Sequence, residues 1–284
     1  MKQFNALMRK EWQTHWTTLL IPTWFTVGAV IITLIGMIYN LIQGNPMLIS
    51  ADFPVFTEVQ RSLILWGANR AGISMLGFIG IITGVILADA MLNGAYKRRC
   101  EIFHLSQPVS YTTIVTAKLA LMALVVIAQV VLIGILGSLV STAYVANFIH
   151  GSLVQGMIGL WQGLIDFVFA FLFVSSIAWF FAGVFKRKSF FLAVLILVGI
   201  HLATMLLNKI TGLGIPSLTG YILHLASLSV NIGPSEMSMK LMDFRQFISV
   251  QWEALFSLEM LLRAFYSAVL FVLSYVFYRR REIA

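Results

Sequence analysis

The sequence predicts an all-α membrane protein with six transmembrane helices, an N-terminal interfacial helix and short external helices before the last span, and three observations carry that expectation. Hydrophobic residues make up 60% of the chain, charged residues only 11%, and the mean hydropathy is +0.92, so lipid is the solvent for most of its surface. A hydrocarbon core of ~30 Å needs about 20 apolar helical residues. Six stretches meet that length, roughly 17 to 41, 71 to 93, 113 to 140, 157 to 184, 190 to 208 and 260 to 278. Finally, the basic residues fall in alternate connections. Lys2, Arg9, Lys10, Lys97, Arg98, Arg99, Lys118, Lys186, Arg187, Lys188, Arg279, Arg280 and Arg281 face one side, with only Glu11, Glu101 and Glu282 among them. The other side balances six basic against six acidic residues, so both termini are expected in the cytoplasm.

The net charge of +8 is thereby accounted for by topology and by anionic lipid, and no nucleic-acid partner is needed to explain it. A single cysteine, Cys100, excludes an internal disulfide. Almost nothing is left over for a soluble domain, so residues 1–284 read as one transmembrane unit.

In chain order, residues 1–16 come first. Phe4, Leu7, Met8 and Trp12 share one helical face, with Lys2, Arg9, Lys10 and Gln13 around the other. That pattern fits a helix lying in the membrane interface. The apolar run that follows is too long for a signal peptide and lacks a small-residue cleavage site. In the second span Gly80, Gly84 and Ala88 form a small-residue stripe, and in the fourth Gly159 and Gly163 form another, marking places where helix backbones approach closely.

Between the second and third spans, residues 94–111 form a basic loop, with Arg98, Arg99, Glu101, Phe103, His104 and Leu105 ahead of Pro108. The residue before a proline avoids the α region, so Pro108 ends any helical turn there. Apolar Ile102, Phe103 and Leu105 in a charged loop suit either anchors for another protein or a seat on the membrane surface.

Carboxylates inside spans are costly and point to function. Asp89 lies near the cytoplasmic end of span two, where it either reaches the headgroups or pairs with Lys97 or a neighbouring arginine. Asp166 sits deeper in span four and is the better candidate for a translocation path. His201 in span five is either its hydrogen-bond partner or an ordinary buried histidine. Glu259 and Arg263, four residues apart at the start of span six, are expected to form an ion pair.

The connection 209–259 carries no charged residue from Ile210 to Ser235, and Leu218, Tyr221, Ile222, Leu225 and Leu228 recur at helical spacing. A seventh crossing there would put Arg279 to Arg281 outside, against the charge bias, so interfacial or re-entrant helices are expected. Met237, Met239 and Met242 offer soft thioether ligands but have no His or Cys beside them in sequence, so packing is the expected role.

No phosphate loop, HExxH, CxxC or GxSxG motif is present, so nucleotide hydrolysis by any recognisable motif is excluded and any energy must come from a gradient or a partner.

The chain resembles the ABC-2-type permease family over nearly its whole length. The residues that carry the resemblance are the basic leader ending in Arg9-Lys10-Glu11-Trp12, the six spans, and the loop Glu101, Ile102-Phe103-His104-Leu105, Pro108-Val109-Ser110 with Lys118 following. It lacks the family's Gly-Thr pair before the proline, Arg99 and Cys100 standing near there. The resemblance implies a membrane subunit of an exporter, in the plasma membrane (the inner membrane of a bacterium), that binds no cofactor itself. It further implies a separate ATP-binding subunit, holding ATP and Mg²⁺, that docks on the loop. A second permease copy or a paralogue would complete the path. The readings from other classes are a gradient-driven transporter or channel that uses Asp89 and Asp166, and a membrane scaffold.

Overall fold

A computed structural model describes residues 2–43, 57–97, 110–149, 152–212, 214–228 and 243–283. These residues form helices α1 (Lys2–Leu19), α2 (Ile21–Ile42), α3 (Glu58–Lys97), α4 (Tyr111–Ile149), α5 (Leu153–Val184), α6 (Ser189–Thr211), α7 (Leu218–Ala226), α8 (Phe244–Leu255) and α9 (Leu258–Ile283). The protein is an all-α membrane protein, with six helices among the described residues long and apolar enough to cross a bilayer.

The leader helix extends to Leu19 and is separated from α2 by Leu20 alone. Pro22 has no N–H for the Thr18 carbonyl, which removes one rung of the helical ladder at that joint. Trp24 N donates to Leu20 O at 2.9 Å, and the ladder resumes.

Helices α3 and α4 contain 40 and 39 residues. At 1.5 Å per residue each is roughly 60 Å long, about twice the hydrocarbon core. The apolar stretches at 71 to 93 and 113 to 140 are therefore only parts of these helices, α3 starting well before its stretch and α4 running on well past its own. For α3 the extension starts at a reciprocal cap, in which Thr57 N donates to Gln60 Oε1 at 2.9 Å and Gln60 N donates to Thr57 Oγ1 at 3.3 Å. Nothing between residues 58 and 70 then breaks the helix, and Leu65 and Trp66 are buried along it. Ser152 and Gln155 cap α5 in the same way.

Helix α5 is the centre of the bundle, packed against α3, α4, α6 and α9. Its pairing with α3 is parallel and alternates small with large. On one half of the contact, Gly159 lies over the Trp66 backbone and Gly163 over Ile73; on the other, Gly80 lies over Phe167 and Gly84 over Phe171 and Ser175. Ala88, fully buried, continues the α3 stripe into the core. Each helix thus lends its small residues where the other is bulky. Helix α9 lies parallel to α5 as well, with Ser274 Oγ donating to Trp179 O at 2.8 Å beside Gly183.

Helices α2 and α6 lie at the periphery. Only Ser189 and Ala193 of α6 are buried, while Phe190, Phe191, Val194, Leu195 and Leu202 point outward, as side chains in contact with lipid or another subunit do.

After α6 the chain doubles back. Gly212 and Gly214 take positive φ of 66° and 62°, conformations that suit glycine, and the Asn208 side chain holds both the N–H and the carbonyl of Ile215 at 2.6 and 2.8 Å. Ser217 Oγ lies 3.0 Å from His201 Nδ1, and Thr219 Oγ1 donates to Leu197 O at 3.1 Å. Helix α7 therefore starts beside the middle of α6. With 9 residues it is far too short to cross.

Candidate functional site

Three helices bring their charged residues to one point inside the bundle. Asp166 of α5 is flanked by Arg70 of α3, whose Nη2 donates to Oδ2 at 2.8 Å, and by Arg263 of α9, whose Nη1 donates to Oδ1 at 2.6 Å. The three residues are only 4%, 5% and 6% exposed. Arg263 Nη2 also donates to the Ser227 carbonyl at 3.2 Å, which holds the unwound end of α7 at this depth.

Both arginines also have their main-chain carbonyls engaged. Ser74 Oγ donates to Arg70 O at 2.9 Å and Ser267 Oγ to Arg263 O at 2.6 Å, a turn further along each helix. One turn beyond the triad, Trp66 Nε1 donates to Gln162 Oε1 at 2.6 Å, and Phe247 of α8 stands edge-on to Trp66 at 4.9 Å. Asn69 joins α3 to α4 by donating to Thr142 Oγ1 at 2.7 Å and accepting from Ser138. A cavity of about 40 Å³ adjoins the triad, lined by Arg70, Asp166, Arg263, Gln251, Ser257 and Glu259 among others.

The expected Glu259–Arg263 pair is not formed. Arg263 turns inward to Asp166, and Glu259 Oε1 instead lies 3.1 Å from His224 Nε2. The reason is the surrounding medium: attraction to a buried carboxylate is far less screened than attraction to Glu259, which is half exposed. His201 is bonded to Ser217 and is not the partner of Asp166.

Asp89 serves a joint. It accepts from Ser189 Oγ at 2.5 Å and from Asn93 Nδ2 at 2.8 Å, while Asn93 also donates to Phe185 O at 3.1 Å, so α3 holds the tight α5–α6 turn. That turn needs Lys188 at φ 54°, a left-handed conformation uncommon for a side chain with Cβ.

A second polar cluster lies where α1, α3 and α4 meet, at the end that carries both termini. Lys118 Nζ donates to Met91 O at 2.5 Å and lies 3.7 Å from Glu11 Oε1, and His15 Nε2 lies 3.6 Å from Glu11 Oε2. Leu7, Ile114 and Ala117 form an apolar patch beside it. Replacing Lys118 by methionine leaves Glu11 buried without that cation. The expected result is a leader helix that opens on the order of tenfold more readily, read as proteolysis or cysteine labelling of residues 4 to 12. The exposed Lys10→Met should leave that rate unchanged.

Arg98, Arg99, Glu101, Phe103, His104, Leu105 and Pro108 lie outside the described residues, as do Met237, Met239 and Met242. Among the described residues no group of His, Cys, Asp and Glu is arranged to hold a metal ion.

The fold and the site together define a polytopic helical membrane protein with a buried Arg–Asp–Arg triad. The chain matches no protein-family model, no curated protein and no solved structure.

From sequence, Asp166 stands out, but Arg70 and Arg263 read as charges of the outer side. The signal was present: Arg263 falls inside the apolar stretch 260 to 278 and Arg70 borders another, leaving two cations for the one carboxylate deep in a span.

Proposed function

We propose that this chain is the membrane subunit of an ATP-driven exporter, forming half of a translocation path and coupled to a separate ATP-binding subunit through residues 94–111. The observation that carries the reading is the junction of Glu11 and Lys118. Both residues belong to the set that resembles the permease family, they are 107 positions apart, and they meet at the roots of the basic loop, where Lys118 also holds the Met91 carbonyl. A push on that loop would reach α1, α3 and α4 together.

The centre of the bundle is filled by Phe167, Phe171 and Trp179. In this reading the path therefore lies between two copies, or between a copy and a paralogue, and the outward apolar faces of α2 and α6 meet lipid or that second subunit. ATP and Mg²⁺ belong to the partner, both termini are cytoplasmic, and the membrane is the plasma membrane. A gradient-driven mechanism at Asp166 is disfavoured, because both carboxylate oxygens are already engaged by guanidinium groups.

Affinity purification of the chain from its native membrane in mild detergent tests the proposal. The expected result is a stoichiometric ATP-binding subunit in the eluate, with its recovery reduced at least ~10-fold by Phe103→Ala with Leu105→Ala, while insertion of the chain stays normal. Recovery of the chain without an ATPase, or an unchanged complex in the double variant, would overturn it.

A further inference from the structure

We infer that the furrow between α2 and α4, floored by α3, is a binding site for a neutral amphiphile, an apolar chain that ends in an uncharged hydroxyl group. Shape is the first ground. Two adjoining hollows of about 370 and 620 Å³ share Thr26, Ile133, Gly137 and Ser141 and so form one furrow. Each falls within the roughly 300–1,000 Å³ of ligand sites. The furrow follows α2 from Thr23 to Val30 and α4 from Ile133 to Ser141, about 10 Å along the helices at 1.5 Å per residue. Spanning helices tilt by only about 20° on average from the bilayer normal, so a chain lying there keeps the direction of the lipid chains around it. Gln129 closes one end. Thr23 Oγ1 donates to its Oε1 at 3.0 Å, and its Nε2 donates to Leu19 O at 2.9 Å, tying α4 to the α1–α2 joint. The other end, at Ser138 and Ser141, lies toward the end of the bundle opposite both termini.

The chain does not fill this space itself. A Cβ at Gly72 or Gly137 meets nothing within 4 Å, whereas the space at Gly80, Gly84, Gly159 and Gly163 is taken by a neighbouring helix. The rims at Phe25, Val30, Leu136 and Val140 are apolar and exposed. Apolar hollows stay dry, and close-packed matter leaves few voids of this size, so a chain from the surrounding lipid is the occupant that the walls admit.

The mouth sets the head. Thr26 Oγ1 donates to Pro22 O at 2.8 Å, Ser138 Oγ donates to Asn69 Oδ1, and Ser141 Oγ donates to Asn69 Oδ1 or Ser138 O at 3.3 or 3.2 Å. Asn69 Nδ2 spends its two hydrogens on Leu65 O and Thr142 Oγ1. The polar hydrogens of this wall are thus committed, while its hydroxyl oxygens keep lone pairs. Among the described residues no charged side chain lines the furrow. A carboxylate or phosphate head would lose its water there without gaining a donor, and an ammonium head would find no counter-charge. A hydroxyl head brings the proton that the wall accepts. A second copy would instead meet these oxygens with a helix whose backbone donors are already spent. The inference goes beyond the exporter reading and does not rest on an ATPase partner, because it concerns this chain alone.

Photolabelling of the full-length chain, with any subunits that copurify, in phosphatidylcholine nanodiscs tests it. The probe is tritiated 1-decanol with a diazirine near its methyl end. Wild type should label saturably, with adducts at Leu76 and Ile133 toward the closed end, and unlabelled 1-decanol should displace the probe where decyl phosphate does not. Gly137→Leu and Gly72→Leu place a side chain in open space, so a thermal melt should find both folded, while each weakens labelling on the order of 10-fold. Residue 199 also meets nothing within 4 Å but is exposed on α6, so Gly199→Leu should label as wild type does. Ser141→Ala removes one acceptor and should weaken labelling roughly 2- to 10-fold. Labelling that does not saturate, equal displacement by decyl phosphate, or labelling unchanged by Gly137→Leu or by Ser141→Ala would overturn the inference. So would full disulfide linkage of two chains through Val140→Cys in a Cys100→Ser background, since the rim would then face a second copy. Each readout stands whether or not an ATPase copurifies.

Discussion

Replacing Asp166 by alanine is expected to cost about 3–5 kcal/mol of stability, the range observed when one partner of a buried ion pair is removed. The carboxylate separates two guanidinium groups that contact its opposite oxygens at 2.8 and 2.6 Å. Without it, two like charges face each other in a low-dielectric interior. The loss should be read as a lower midpoint in thermal or SDS-induced unfolding of the purified protein. Asp166→Asn should fare little better, because a neutral amide accepts hydrogen bonds but offsets no charge. Removing one of the two facing cations by a second change separates electrostatics from packing: Asp166→Asn with Arg263→Gln should recover part of the loss. Strictly additive losses in the double variant would defeat the account, since residues of one network couple. Asp89→Asn should be milder, because Asp89 accepts from Ser189 and Asn93 at the α5–α6 joint and the amide keeps an acceptor oxygen there.

The contrast between Asp89 and Asp166 shows what a sequence reveals about a membrane protein. Composition and run length identify the six apolar helices because lipid imposes a single requirement on every spanning segment. That requirement says nothing about where the same helix continues into water, which is why α3 starts at Glu58 although its apolar run starts near residue 71. A local cap at Thr57 and Gln60 decides that boundary. Partners are harder still to read. Asp166 is visible as a costly residue, but its arginines lie 96 and 97 positions away on two other helices, and only packing brings them together. Spacing on one helix favours Glu259 for Arg263, and a short-range rule loses to the less screened charge of Asp166. Glu11 and Lys118 likewise read as two charges of one side, and it takes the docking of α1 on α4 to make them neighbours. The return of α7 along α6 is legible only in outline, through missing charge and paired glycines, because its position depends on His201 and Leu197 of α6.

Enlarging Gly159 to valine is expected to destabilise the bundle by roughly 3 kcal/mol, at the upper end of overpacking effects. The argument rests on what a side chain there would strike. A Cβ at residue 159 would overlap the Trp66 carbonyl oxygen and lie 3.1 Å from two further Trp66 backbone atoms. Backbone cannot rotate aside as a side chain can, so α3 and α5 must part locally. That movement would strain the bond from Trp66 Nε1 to Gln162 and, a turn later, the approach of Arg70 to Asp166. Gly137→Ala on α4 is the matched control. A Cβ at residue 137 meets nothing within 4 Å, so the change should be neutral or stabilise by a few tenths to about 1 kcal/mol through helix propensity. If both substitutions moved the unfolding midpoint alike, glycine would matter at residue 159 for helix propensity alone. If only Gly159→Val lowered it, the parallel α3–α5 contact would be established as the element that sets the spacing of the triad.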